Sequence, residues 1–352
     1  MMKSYVRAVE PAPKKLVQDG LFKFGTFNTP FETINPLDAS HPLPIRVPDI
    51  FKNLRLKEWE AFQFGNRDYF ILAAVYNAKM LGLVQIVVVD IKNEKKYIFE
   101  KKLFPWKLKV GNGLNNNITC SHGDGFSFFI HNHLNQGRIR LFINTRGQKG
   151  GPDLSCSVEG VHEKGVCTPI TICQPFGRNR ALYSHKALVP LTGSLSIGEK
   201  RVHFHEKSGF MIVDDHKGYY PFTMKYDWVT TGGYNDQGVL IGFNLTDNQV
   251  KNHYLYNENC LWIHGTMQPL PPIRVQRPDG TLGTWIIKDD YNRVNLKFHP
   301  VIDNRIDINA VVVKTRYRAP YGWFEGFIVD ESGEHISFDR FFGVGEKKFV
   351  QS

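Results

Sequence analysis

The stretch FMIVDDHKGYYPFTMKYDW, Phe210 to Trp228, decides how this 352-residue chain is read. Its apolar and polar residues alternate, and alternation at period two means strands that send every second side chain to a common face. The rhythm continues in GFNL (Gly242–Leu245), YNENCLWIHG (Tyr256–Gly265) and GTWIIKDDYNRVNLKFHP (Gly283–Pro300). These segments carry Asp214, Asp215, His216, Trp228, Asn244, Glu258 and Asn259. A polar and aromatic cluster of this kind inside apolar β-structure is unfavourable unless it is hydrogen-bonded or functional.

Upstream, strands are expected from Leu54. Leu54 to Phe64 alternates, Gly65 to Asp68 turns, and Tyr69 to Tyr76, Met80 to Asp90 and Tyr97 to Lys102 follow as a meander. Strands are also expected at Ser127 to Leu134 and Arg138 to Asn144. Gln148 to Asp153 reads as a linker. No segment shows three turns of capped amphipathic spacing, so the chain is expected to be all-β with few short helices. Residues 1–20 read as a tail. The Pro-rich run that follows, with Pro30, Pro36, Pro42, Pro44 and Pro48, reads as a wrapping segment. The expected domains are 21–150 and 151–352. A faint internal echo supports duplication: Trp59 and Trp228 each precede a turn and then an apolar strand.

Composition narrows the class. Apolar residues at 42% and charged residues at 22% are those of a globular protein, and 26 Phe, 14 Tyr, 31 Gly and 19 Pro favour strands joined by tight turns. The net charge of +10 is scattered, with only short runs such as Glu346-Lys347-Lys348, and reads as solvated surface rather than a nucleic-acid partner. Five cysteines without metal spacing read as packed, reduced thiols. No signal peptide or membrane-length apolar run is seen, so a soluble, cytoplasmic protein with no transmembrane segment is expected.

His203 and His205 share a strand face that suits two imidazoles on one metal, yet Glu206 points the other way and a third ligand would have to come from Asp214, Asp215 or His216 after a turn, so exposed strand histidines are preferred. His131 and His133 read as structural. Asp214 to Pro221 reads either as a plain turn or as a pocket rim. Glu258 reads either as an ion pair with Arg274 or Arg293, or as a buried general acid. No G-x-S-x-G, Walker loop or dinucleotide fingerprint occurs, and no cofactor is expected.

Taken in order, Gly25-Thr26-Phe27-Asn28, Leu56 to Glu60, Asp214 to Pro221, Tyr226-Asp227-Trp228, Gly242 to Leu245, Asn257-Glu258-Asn259, Gly283-Thr284-Trp285, Leu296 to Pro300, Tyr321 to Gly326 and Gly343 to Glu346 resemble domain-of-unknown-function family 2804 over about residues 20 to 350. More distantly, the chain is similar to double lipocalin-like (calycin-type) proteins such as carotenoid hydratases and tocopherol cyclases. That resemblance implies two β-barrels or strongly curved antiparallel sheets side by side, holding an apolar ligand between or inside them. The expected function is to bind, and in the enzymatic case to hydrate, isomerise or cyclise, an apolar lipid or isoprenoid-like molecule. Asp214 or Glu258 would be the acid, His216 a proton relay, and Asn244 or Asn259 an orienting group. Trp59, Tyr220, Trp228 and Trp285 would line the cavity. The alternatives are a carbohydrate-binding or carbohydrate-active β-sandwich, which needs two carboxylates at a set separation, and a non-catalytic scaffold.

Overall fold

The computed structural model describes residues 5–148, 150–163, 165–309 and 314–351. Among these, the only α-helix is α1 (Asp49–Arg55), lying where the wrapping segment meets the first strand. Strands β1 (Lys57–Gly65), β2 (Tyr69–Asn77), β3 (Gly82–Asp90) and β4 (Lys95–Leu103) form the expected meander. β1 pairs with β6 (Phe210–Gly218), and β6 pairs with the long β5 (Ala181–Ile197). Antiparallel strands Leu154–Val161, Arg138–Thr145, Phe126–His133 and Asn117–Gly123 continue the sheet from β5.

The second sheet repeats this plan. Strand β7 (Thr223–Tyr234) leads a meander of β8 (Leu240–Asn248), β9 (Cys260–Ile263) and β10 (Thr266–Pro269), and pairs on its other side with β11 (Phe341–Gln351). Strands Tyr321–Val329, Val294–Ile302, Trp285–Asp289 and Ile273–Gln276 continue it, and Arg305–Asn309, Lys314–Arg318 and His335–Ser337 pair at its side. In both sheets, therefore, a leading strand carrying the echoed Trp pairs with the sheet's last long strand. Trp59 stands opposite His216, and Trp228 opposite Glu346.

Each sheet curls on itself around a filled apolar interior. Phe62, Phe64 and Ile71 meet Phe128, Ile130 and Leu141 in the first, and Phe243, Trp285, Phe298 and Phe324 share one cluster in the second. The convex faces then pack together through Phe70, Leu188, Ile212, Trp228, Trp262, Tyr321 and Phe342. Close approach there needs glycine. A Cβ on Gly242 would stand 2.9 Å from Leu188 Cδ2 and 2.6 Å from the Thr231 carbonyl, and one on Gly232 would stand 2.7 Å from Leu188 Cδ1.

Two expectations about chain organisation change. The expected boundary at 150/151 does not coincide with the change of sheet, which falls between Gly218 and Thr223; Gln148 to Asp153 instead lies between two paired strands of the first sheet. The described part of the expected tail is built in. Leu16 and Val17 are buried with Phe22, Phe27 and Phe31 against Tyr183 and Tyr219, and buried Arg7 donates to the carbonyls of Asn257 and Asn259. A guanidinium among backbone carbonyls satisfies donors that a free tail would leave to water.

Along the inner face of β6, Met211 and Val213 belong to the barrel core and Tyr219 to the cap formed by the wrapping segment. Between them lie Asp215 and Lys217. Lys217 Nζ pairs with Glu58 Oε1 at 3.1 Å, and Asn132 Nδ2 donates to Glu60 Oε1 at 2.7 Å. Burial pushes the Asp215 carboxyl up to about 8, Lys217 opposing and Glu60 and Glu58 adding to the rise.

Two outcomes follow from this packing. Gly242→Val is expected to lower stability by about 1–3 kcal/mol in urea unfolding, the range for overpacking; an unchanged midpoint would show that the sheets are not in contact there. For Asp215, the fold prefers the protonated acid, a preference fully present below its ordinary value of 3.8 and lost as pH rises to about 8. Asp215→Asn is thus expected to raise the melting temperature by an amount that grows from pH 4 to pH 8 and then levels off. A gain independent of pH would contradict this burial.

Candidate functional site

The outer face of β6 carries Asp214 and His216 toward the second sheet, because residues 210, 212, 214 and 216 share that face with the inter-sheet core. Direct cross-strand partners complete it: Lys186 opposite Asp214, and Ser184, His216, Trp59 and Tyr76 in one row. From the opposing sheet come Glu258, Asn244, Trp228, Tyr226, Glu346 and Lys348.

Lys186 is the hub. Its Nζ lies 2.5 Å from Asp214 Oδ1 and 3.5 Å from Glu258 Oε2, and its side chain is 2% exposed. It also sits 5.4 Å from the centre of the Trp228 ring. Burial would lower the ammonium, but Asp214 and Glu258 hold it above its ordinary value. Burial likewise opposes ionisation of Asp214, yet Lys186 and His216 hold its carboxyl well below the usual range. Asp214 is therefore a carboxylate, and the expected acid role does not suit it.

His216 Nε2 lies 2.6 Å from the same Asp214 oxygen and 3.2 Å from Ser184 Oγ. Its Nδ1 meets no hydrogen-bond partner among the described residues, and the ring is partly exposed. An imidazole seated on a carboxylate through one nitrogen leaves the other free to give or take a proton.

Glu258 accepts a hydrogen bond from Gln174 Nε2 at 2.7 Å and pairs with Lys186 across the sheets. The two arginines considered as its partners are engaged elsewhere: Arg274 with Asp290, and Arg293 with the Val329 carbonyl. Asn244 accepts from Trp228 Nε1 at 2.6 Å and donates to the Glu258 carbonyl at 2.9 Å. Its amide thus fixes the indole and the Glu258 backbone. Asn259 accepts from Thr246 N and donates to the Pro271 carbonyl, and its side chain is spent on loop geometry. Trp285 is fully buried in the second barrel, 3.8 Å under the Arg277 guanidinium, away from this cluster.

The rim is aromatic. Trp59, Tyr76, Tyr220 and Tyr226 are half-buried, with Trp59 and Tyr76 ring centres 5.1 Å apart. Burial raises the Tyr220 hydroxyl well above its ordinary value, reinforced by Tyr76, Glu258 and Asp214, so it stays a neutral donor beside the carboxylates. Further along, Tyr226 and Tyr317 both donate to Glu346, the former at 3.1 Å. The result is a buried ion-pair and hydrogen-bond network between the sheets, with the partly exposed His216 and a rim of rings at its edge.

His216, Glu258, Asp214, Tyr220, Trp59, Trp228 and Asn244 thus come together, while Trp285 and Asn259 stand apart. Lys186, Ser184 and Gln174 escaped the sequence reading; the signal was Ser184-His185-Lys186 interrupting the apolar run from Ala181 to Leu191. The run Glu346-Lys347-Lys348, read as solvated, leaves only Lys347 exposed, because strand alternation turns its neighbours inward. The histidine readings fare as preferred: His203 and His205 are both exposed.

The chain belongs to the family described as Domain of unknown function (DUF2804), whose model matches residues 9–351. Among solved structures it is similar to CghA with Sch210972, at 10% identity over 84% of this chain and 88% of that one, with a TM-score of 0.55. A structure of kievitone hydratase from Nectria haematococca matches at 11% identity over 84% and 89%, with a TM-score of 0.43. No curated protein matches the sequence. The first likeness supports the fold, two curled sheets of double lipocalin-like form. No helix among the described residues is long and apolar enough to cross a membrane.

Removing the hub is expected to be severe. Lys186→Met leaves two buried carboxylates short of their shared cation and should cost about 3 kcal/mol in urea unfolding. The triple change Lys186→Met, Asp214→Asn, Glu258→Gln should recover most of it. A loss below about 1 kcal/mol in the single variant would mean that the pair is solvated and the cleft floor open.

Proposed function

We propose that the cleft between the two curled sheets binds an apolar small molecule and transforms it by proton transfer: hydration, isomerisation or cyclisation at an alkene or enol. The observation that carries this reading is His216 seated on the Asp214 carboxylate, itself fixed by Lys186, with Nδ1 unpartnered and aromatic rings beside it.

In this reading His216 gives or takes the proton at Nδ1, and Asp214 orients the ring and stabilises its charged form. Tyr220 offers a neutral hydroxyl to a developing negative oxygen. Trp59, Tyr76 and Tyr226 exclude water and pack against the apolar body. Asn244 positions the Trp228 indole. Glu258 holds the sheets in register through Lys186. The likeness in fold to CghA, whose structure holds the small molecule Sch210972, agrees with a small-molecule role. All five cysteines are free, which suits a reducing, cytoplasmic setting.

The carbohydrate alternative fits less well. A glycosidase needs two carboxylates flanking a sugar bond, whereas Asp214 and Glu258 share one buried lysine with no room between them for a sugar.

Native mass spectrometry of the purified protein tests the reading. An apolar compound is expected to accompany it, and His216→Ala is expected to retain that compound while losing its conversion by at least about 100-fold, the ordinary contribution of a general acid or base. Unchanged turnover in His216→Ala, or co-purification of an oligosaccharide instead, would remove this assignment.

A further inference from the structure

Helix α1 is built inside out. Its Ile50, Phe51 and Leu54 share one face, at spacings of three and four, and all three are exposed. The residue turned inward is Lys52, whose Nζ donates to the Ala39 carbonyl at 3.0 Å and pairs with Asp49 at 2.8 Å. A helix that covers a core does the reverse.

The same end of the first sheet carries two further apolar projections. Glu58, Asn77, Gly82 and Leu103 stand in one row across β1 to β4. Beyond that row the β2–β3 turn exposes Met80 and Leu81, and Phe104 and Trp106 follow β4. The rings of Phe104 and Trp106 stack 4.7 Å apart, yet the residues are 66% and 75% exposed. Pro105 between them opens a 3-10 turn, and backbone hydrogen bonds between Lys109 and Cys120 pin the segment that follows. Ordered backbone thus holds the two rings out in water.

Charge follows the same segments. Residues 45–58, 78–82 and 101–110 contain nine Lys and Arg against Asp49 and Glu58. Glu58 is buried between Lys79 and Lys217, whereas Lys102, Lys107 and Lys109 are exposed.

We propose that this end of the first barrel docks on the surface of an anionic phospholipid bilayer. Apolar side chains gathered at one exposed face mark a binding surface. Aromatic rings favour the headgroup layer, and each neighbouring lysine or arginine adds attraction to anionic lipid. The row Ser184, His216, Trp59 and Tyr76 stands one register position inside the row of Glu58 and Asn77. Docking therefore brings the rim of rings close to the lipid, where an apolar ligand would be dissolved. The docking itself does not rest on the proton-transfer reading.

Co-sedimentation of the full chain with lipid vesicles tests this. Vesicles of phosphatidylserine mixed with phosphatidylcholine are expected to carry the protein down, and vesicles of phosphatidylcholine alone at least about tenfold less. The triple change Lys102→Gln, Lys107→Gln, Lys109→Gln should lower partitioning onto the mixed vesicles about 100-fold, at about fivefold for each charge. Phe104→Ser with Trp106→Ser should lower it at least about tenfold. All five side chains are exposed, so both variants should melt as the parent does. His216→Ala should bind as the parent does, which separates failure of this proposal from failure of the acid reading. No sedimentation with the mixed vesicles, equal binding to both kinds, or partitioning unchanged in the two surface variants would overturn the proposal. So would a lipid-free dimer that Phe104→Ser with Trp106→Ser dissociates, because the face would then belong to a second copy of the chain.

Discussion

The pairing of Lys186 with Asp214 and Glu258 is the constraint around which the rest is arranged. An ammonium at 2% exposure survives only where its charge is met, and here one carboxylate comes from its own sheet and the other from the opposing one. The contact therefore does two things at once. It joins the curled sheets at the end of their interface where apolar packing gives way to polar groups, and it fixes Asp214 as an anion on which His216 can sit. A well-packed apolar substitute would join the sheets equally well. It would not present an oriented imidazole to a cleft.

Duplication explains why the site lies between the halves. Each sheet has a leading strand with a Trp and a closing strand with an ionisable partner opposite it, His216 in one and Glu346 in the other. Both barrels pack apolar side chains into their own interiors. Packing the two convex faces through Leu188 and the glycines at 232 and 242 leaves the Trp-bearing ends facing each other.

Much of this was legible in the sequence. Period-two alternation gave the strands and the sharing of a face by Asp214 and His216, and the Trp echo anticipated the repeated topology. What escaped reading depends on contacts distant in sequence. Glu258 lies 72 residues from Lys186, and nothing local distinguishes that lysine from Arg274 or Arg293 as a partner. Trp285 alternates as Trp228 does, yet it falls on the inner face of its sheet because register, not composition, decides which side is out. The place where the chain changes sheet was hidden for a similar reason: a glycine-rich stretch at 147–151 reads the same whether it separates two sheets or joins two strands of one.

The account stands on the ionisable cluster being reachable from solvent while both barrel interiors are closed. In a background where the half-exposed Cys120 is replaced by serine, the reaction of methyl methanethiosulfonate with His216→Cys and with Trp285→Cys reports this directly. The thiol introduced at position 216 is expected to react rapidly in the folded protein, and that at position 285 only on the timescale of unfolding. Equal rates, or protection at 216 with fast reaction at 285, would place the open chamber inside the second barrel and contradict the account.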